Sequence, residues 1–164
     1  MDRKTIKETV DNLINELQLS PPINLDSFFT YFSNLEIAYD VKEIDLLDGK
    51  ITKKDGNGYV VSLSCNKGLM NERDRFTLAH ELGHLFLGHV DRHETLYRRG
   101  ANKLEYEANE FAAEMLMPQE AFVDSVNDNI DADGVCDIGT VAKYFGVSPS
   151  AAVTRGKFLG LFAW

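Results

Sequence analysis

Cysteine is nearly absent: Cys65 and Cys136 are the only two in 164 residues, and neither has a partner at Cys-x-x-Cys spacing. That spacing excludes a disulfide framework and a cysteine zinc knuckle, so both thiols are expected to be reduced. Basic residues are short as well, 17 Lys and Arg against 26 Asp and Glu, which leaves a formal net charge of −9. Such a balance disfavours nonspecific nucleic-acid binding by the whole chain and suits contact with a basic partner, although a solvated acidic surface is the commoner cause. No apolar run approaches the roughly 18 residues of a membrane span. Residues 1–18 form a charged amphipathic segment without the apolar centre of a signal peptide, and a cytoplasmic protein is expected. Repeats and low-complexity stretches are missing too. What remains, 44% hydrophobic and 26% charged residues, is the composition of a soluble globular protein with one good core, or one domain with a small appendage.

The strongest chemical signal is His80-Glu81-x-x-His84, the HExxH arrangement of zinc peptidases. At about 100° per residue, His84 lies about 40° from His80 and Glu81 about 100°, while Leu78, Ala79, Leu82, Leu85 and Phe86 fall between about 140° and 260°. One helix face therefore holds candidate metal ligands and the other is core. Two imidazoles one turn apart can bind one Zn²⁺, and the carboxylate between them leans towards the open position as a general base for peptide-bond hydrolysis. The bland alternative is a buried amphipathic helix with chance histidines, which the phase of the two imidazoles opposes. Gly83 costs a helix about 1 kcal/mol against Ala, and that cost implies a close neighbour at its turn.

Around this stretch the chain reads in order. Ile6, Val10, Leu13, Ile14 and Leu17 recur at helical spacing until Ser20-Pro21-Pro22, and Asn24 or Asp26 can cap a second helix carrying the aromatic cluster Phe28, Phe29, Tyr31 and Phe32. Residues 35–41, 49–53 and 59–64 read as short strands, the last two joined by the turn Asp55-Gly-Asn-Gly58. The strand ending at Cys65 is either internal or an edge able to hold substrate backbone. Residues 89–100 read as a loop. Leu104, Ala108, Phe111, Ala112, Met115 and Leu116 then mark a helix that stops at Met117-Pro118, followed by a short helix from Gln119 and an acidic loop over 127–133. The tail reads helix, turn, helix, with Ser148 as cap and Pro149 in the first turn. Its pattern is like a DNA-reading pair, but Lys143, Arg155 and Lys157 against Asp137 give a weak phosphate footprint. The fold class expected is α+β: a small antiparallel sheet packed on helices that include the HExxH helix, with a C-terminal helix-turn-helix-like region. Residues 1–127 are expected to form the peptidase domain, with 128–164 packed on it.

A catalytic zinc of this kind takes three protein ligands and leaves one position for water. A metzincin third histidine would fall at position 90, which is Val90, so that scheme fails. His89 would point away from His84 unless the helix ends first, and His89 and His93 are read as surface histidines or supports to the ligands. The better candidate is a carboxylate on the downstream helix. Glu105 and Glu107 both qualify; Glu105 is favoured because it shares its side with Asn109, Ala112 and Leu116, and Asn109 is placed to orient it.

Taken together, Arg75-Phe-Thr-Leu-Ala-His-Glu-Leu-Gly-His84, Glu105-x-x-Ala-Asn-x-Phe-Ala112 and Leu116-Met-Pro118 resemble the ImmA/IrrE family of bacterial and phage metallopeptidases, and the tail from Val141 to Ser148 is similar as well. The resemblance implies that His80 and His84 bind Zn²⁺, that Glu81 is the catalytic base and that the third ligand falls on Glu105. It also implies a substrate: a helix-turn-helix repressor of the Xre type, cut to derepress mobile-element, prophage or stress genes. The rival expectation is a regulatory module that binds a repressor or antitoxin without cutting it. Membrane partners are not expected, and direct DNA binding is disfavoured. Two further expectations are a Cys65 thiolate able to occupy the open zinc position, and an apolar tail, Leu161 to Trp164, that packs on the core or docks protein.

Overall fold

Apolar residues three and four apart dictate most of the architecture, seen in a computed structural model that describes residues 1–34, 49–53, 59–63, 71–90 and 101–164. Helix α1 (Arg3–Glu16) is capped by the Asp2 carboxylate, which accepts from the Thr5 amide, and it buries Ile6, Val10 and Leu13. Helix α2 (Asp26–Asn34) follows a turn in which Asn24 Oδ1 accepts from the Asp26 amide at 2.9 Å. Five more helices complete the described fold: α3 (Glu72–Phe86), α4 (Ala101–Leu116), α5 (Gln119–Asp128), α6 (Ile138–Phe145) and α7 (Pro149–Phe158). Two five-residue segments, β1 (Gly49–Lys53) and β2 (Tyr59–Leu63), pair antiparallel with Ile51 opposite Val61.

The expected α+β class is thereby corrected to a helical one. Among the described side chains the buried core draws on Ile6, Phe28, Leu82, Phe111, Phe122 and Phe145, every one on a helix, and the two paired segments, which lie against α3, are the only strands described. A lone two-stranded ribbon is marginal by itself and cannot supply a core face; three or more strands are needed for that. The alternation of those short segments is local, whereas helix-on-helix packing carries the burial among the described residues. The strand expected over 35–41, the turn at 55–58, Cys65, most of the 89–100 loop and His93 lie outside the described residues. Among the described residues no helix is long and apolar enough to cross a membrane.

The tail helices belong to the common core: Val141, Ala142, Phe145, Val147 and Ala152 are buried in the same cluster as α1, α3 and α4. Gly146 closes α6 in the left-handed conformation, φ +64°, and Ser148 caps α7. Two arginines fasten this pair. Arg155 is 3% exposed; it donates to the Met117 carbonyl at 3.1 Å and pairs with Glu114. Arg75 on α3 donates to the carbonyls of Gly146 (3.1 Å), Phe145 (3.4 Å) and Ile23 (3.0 Å), holding the end of α6 and the segment before α2 to one side chain. Burial pulls the Arg75 guanidinium below its ordinary pKa, against the opposing charge of Asp26. Arg75→Met strands two carbonyls at a helix C-terminus where a cation belongs and the Ile23 carbonyl before α2, which costs about 2 kcal/mol. A melting temperature about 4–8 °C lower in the metal-free protein is the expected result, read by calorimetry; an unchanged melt counts against this anchor.

Candidate metal centre

The site begins with the way α3 is started and turned. Asn71 Oδ1 accepts from the Asp74 amide at 2.9 Å while the Asp74 carboxylate accepts from the Asn71 amide, a reciprocal cap that fixes the helix phase. Leu78, Ala79 and Leu82 are fully buried on one side, and His80 and His84 stand half-buried on the other. Helix α4 crosses at Gly83: a Cβ there would lie 3.1 Å from the Cα and carbonyl oxygen of Ala108 and from Phe111 Cβ. The close neighbour implied by that glycine is α4 itself. Because the two helices meet so closely, Glu105, one turn before Ala108, reaches over the two imidazoles.

Three donor atoms converge as a result. His80 Nε2 and His84 Nε2 are 3.0 Å apart, and Glu105 places its carboxylate oxygens 3.1 Å from the first and 3.4 Å from the second. His80, His84 and Glu105 form the group able to hold a metal ion. A tetrahedral ion with bonds of about 2.0–2.1 Å separates neighbouring donors by about 3.3 Å, so the spacing fits zinc. The proton positions fit too. Asn109 Oδ1 accepts from His80 Nδ1 at 2.9 Å, which leaves His80 Nε2 with its electron pair. Asn109 thus supports His80 rather than Glu105, the partner expected for it.

His84 is supported by a longer chain. Its Nδ1 lies 3.0 Å from His89 Nδ1, and His89 Nε2 lies 3.1 Å from Glu107 Oε2. Both outer members are buried, His89 at 2% and Glu107 at 3% exposure. The helical phase would have sent His89 away; α3 ends at Phe86, and Gly88 at φ +68° turns the chain back. Glu107, the rival third ligand, faces His89 and pairs with the Met1 amino group, away from the donor triangle. Burial alone would raise its carboxyl, but the Met1 amino group and then His89 hold it below the ordinary carboxylate range. Glu81 is 8% exposed, on the helix turn between the two candidate ligands.

Beside the cluster runs a groove with a volume of about 740 Å³, lined by Phe76 and Thr77 of α3, Asn109 and Ala113 of α4, and Ala151 and Phe158 of α7. Asn109, the hydrogen-bond partner of His80, is one of the groove's lining residues, so the groove runs beside the centre. Sequence reasoning missed this wall from α7; of its two readings of His89, surface residue or support to the ligands, the second agrees with the contact to His84, and Gly88 directly before His89 was the signal for it.

A family model described as the IrrE N-terminal-like domain, Peptidase_M78, matches residues 39–157. Among solved structures, a Mycobacterium tuberculosis transcriptional regulator is similar in fold, with a TM-score of 0.67 at 15% sequence identity, covering 93% of this chain and 46% of that one. The chain therefore spans less than half the length of that protein. A search of curated protein sequences finds no match.

Proposed function

This chain belongs to the IrrE N-terminal-like peptidase family, and from that membership we propose that it is a zinc-dependent endopeptidase acting on a helix-turn-helix, Xre-type repressor. The observation that carries the reading is the donor triangle of His80, His84 and Glu105, with both imidazole Nδ1 atoms engaged elsewhere and both Nε2 atoms turned to the same point. When bound, Zn²⁺ supplies Lewis acidity, polarising a carbonyl and lowering the pKa of water to about 7.

The chain's own residues supply the rest. Glu81, at a position 8% exposed, accepts the proton of the attacking water and passes it to the leaving amine. Asn109 and His89 keep His80 and His84 in the tautomer that ligates. The groove shared with α7 holds the polypeptide next to the bond to be cut, which gives the tail helices a protein-binding part. A DNA-reading role for them is opposed by Arg155, one of the three tail cations, which is buried against Glu114 and out of reach of phosphate.

Incubating the zinc-loaded protein with the repressor encoded beside its gene tests the reading. Two repressor fragments by mass spectrometry, lost on adding a chelator, are expected; an intact repressor that co-elutes with the protein would mean binding without cleavage. On the exposed groove wall, Thr154→Arg should lower cleavage by about tenfold, about 1.4 kcal/mol in transition-state binding, with zinc affinity unchanged. Equal cleavage would remove α7 from the substrate path.

A further inference from the structure

We propose that His89 and Glu107 are positioning residues of the metal centre, a buried relay that fixes the tautomer and orientation of His84. The inference rests on the zinc reading above and concerns two residues outside the donor triangle. Glu107 Oε2 accepts from His89 Nε2 at 3.1 Å, which leaves His89 Nδ1 with its electron pair. That pair accepts from His84 Nδ1 at 3.0 Å, which in turn leaves the electron pair on His84 Nε2, the atom facing Glu105 at 3.4 Å. Every proton in the series is set by the carboxylate at its far end. Reversing one of them would place a proton on His84 Nε2, facing His80 Nε2 3.0 Å away.

Three independent features support a built device. His89 and Glu107 are 2% and 3% exposed, and a buried polar pair is retained only when its hydrogen bonds are made. Gly88 takes φ +68°, and no atom of the described residues lies within 4 Å of where its Cβ would be, so a left-handed backbone is what the position supplies, and that turn returns His89 to His84. The rings of His84 and His89 meet edge to face, centroids 5.1 Å apart, which fixes the direction of the Nδ1–H bond. His80 is held by Asn109, a neutral amide, so the carboxylate relay serves His84 alone.

The test uses the full chain and Zn²⁺ itself, measured by competition with a chromophoric chelator, with Co²⁺ as a spectroscopic probe. His89→Phe keeps the ring volume and removes the acceptor; zinc affinity should fall about 10–100-fold, and the Co²⁺ visible band should change shape. His89→Gln can both accept from His84 and donate to Glu107, and should restore most of the affinity and the wild-type band. A role in stability alone would lower the metal-free melting temperature of His89→Phe without selective change in the Co²⁺ spectrum or recovery by Gln, and that pattern overturns the inference. If His89→Phe does not fold, Glu107→Leu, which removes the acceptor at similar volume, carries the test: weaker zinc binding supports the relay, and wild-type affinity overturns it. His80→Ala separates the two readings. A wild type that binds zinc no better than His80→Ala removes the zinc centre itself, whereas a zinc-binding wild type matched by His89→Phe removes only the relay.

Discussion

Glu81→Gln is expected to keep Zn²⁺ and lose hydrolysis. The three donors, His80, His84 and Glu105, are untouched by the change, and glutamine matches glutamate in volume at a position 8% exposed, so neither packing nor ligation is disturbed. What disappears is a proton acceptor one residue from a ligand, on the helix turn joining both imidazoles. General acid–base catalysis by one positioned group contributes about 10²–10⁴-fold, and the loss should appear in kcat with little change in KM, because the amide still occupies the site but cannot take the proton. Metal content by mass spectrometry and fragment appearance over time measure the two halves separately. Cleavage at the wild-type rate would end the proposal that this chain is an enzyme; loss of zinc together with activity would show that Glu81 shapes the metal group instead of serving it.

How far the sequence carried differs sharply between the helix and its surroundings. The division of α3 into a ligand face and a core face follows from periodicity alone, and Leu78, Ala79 and Leu82 are buried where that phase puts them. Gly83 was legible as a close approach because a helix-interior glycine has a known cost, and Ala108 supplies the neighbour. The fold class was not legible. Residues 49–53 and 59–63 have the alternation of strands, yet whether a sheet or a stack of helices forms the layers is decided by total burial, which local patterns do not contain. Asn109 shows the same limit at smaller scale: its helical phase placed it beside Glu105, but on α4 the crossing angle sends its amide across to His80 on α3. His89 was legible as a condition, a support to the ligands only if the helix ends before it, and the end of α3 at Phe86 with Gly88 beyond it meets that condition.

The second large effect separates two glutamates that lie two residues apart on α4. Glu105 is 58% exposed at its side chain, and among the described residues its carboxylate meets the two imidazoles. Exposed ion pairs contribute about 0–1 kcal/mol to stability, so Glu105→Ala should leave the metal-free melting temperature nearly where it was. Its effect belongs to the metal: zinc-finger sites bind with about 10–16 kcal/mol spread over four ligands, so losing one of three ligands here costs at least about 3 kcal/mol, about 10²-fold or more in affinity. Glu107→Ala should do the reverse in proportion. Glu107 is 3% exposed and accepts from His89, so its removal orphans a buried N–H at a cost of about 1–3 kcal/mol in the metal-free protein, while zinc, separated from it by His89 and His84, is weakened less than in Glu105→Ala. Calorimetry of both metal-free variants and zinc competition on the same preparations give four numbers whose pattern is diagnostic. A cold-stable Glu107→Ala with the greater loss of zinc would exchange the parts assigned to the two glutamates, because a carboxylate that binds the ion directly is the one whose absence the metal feels more than the fold.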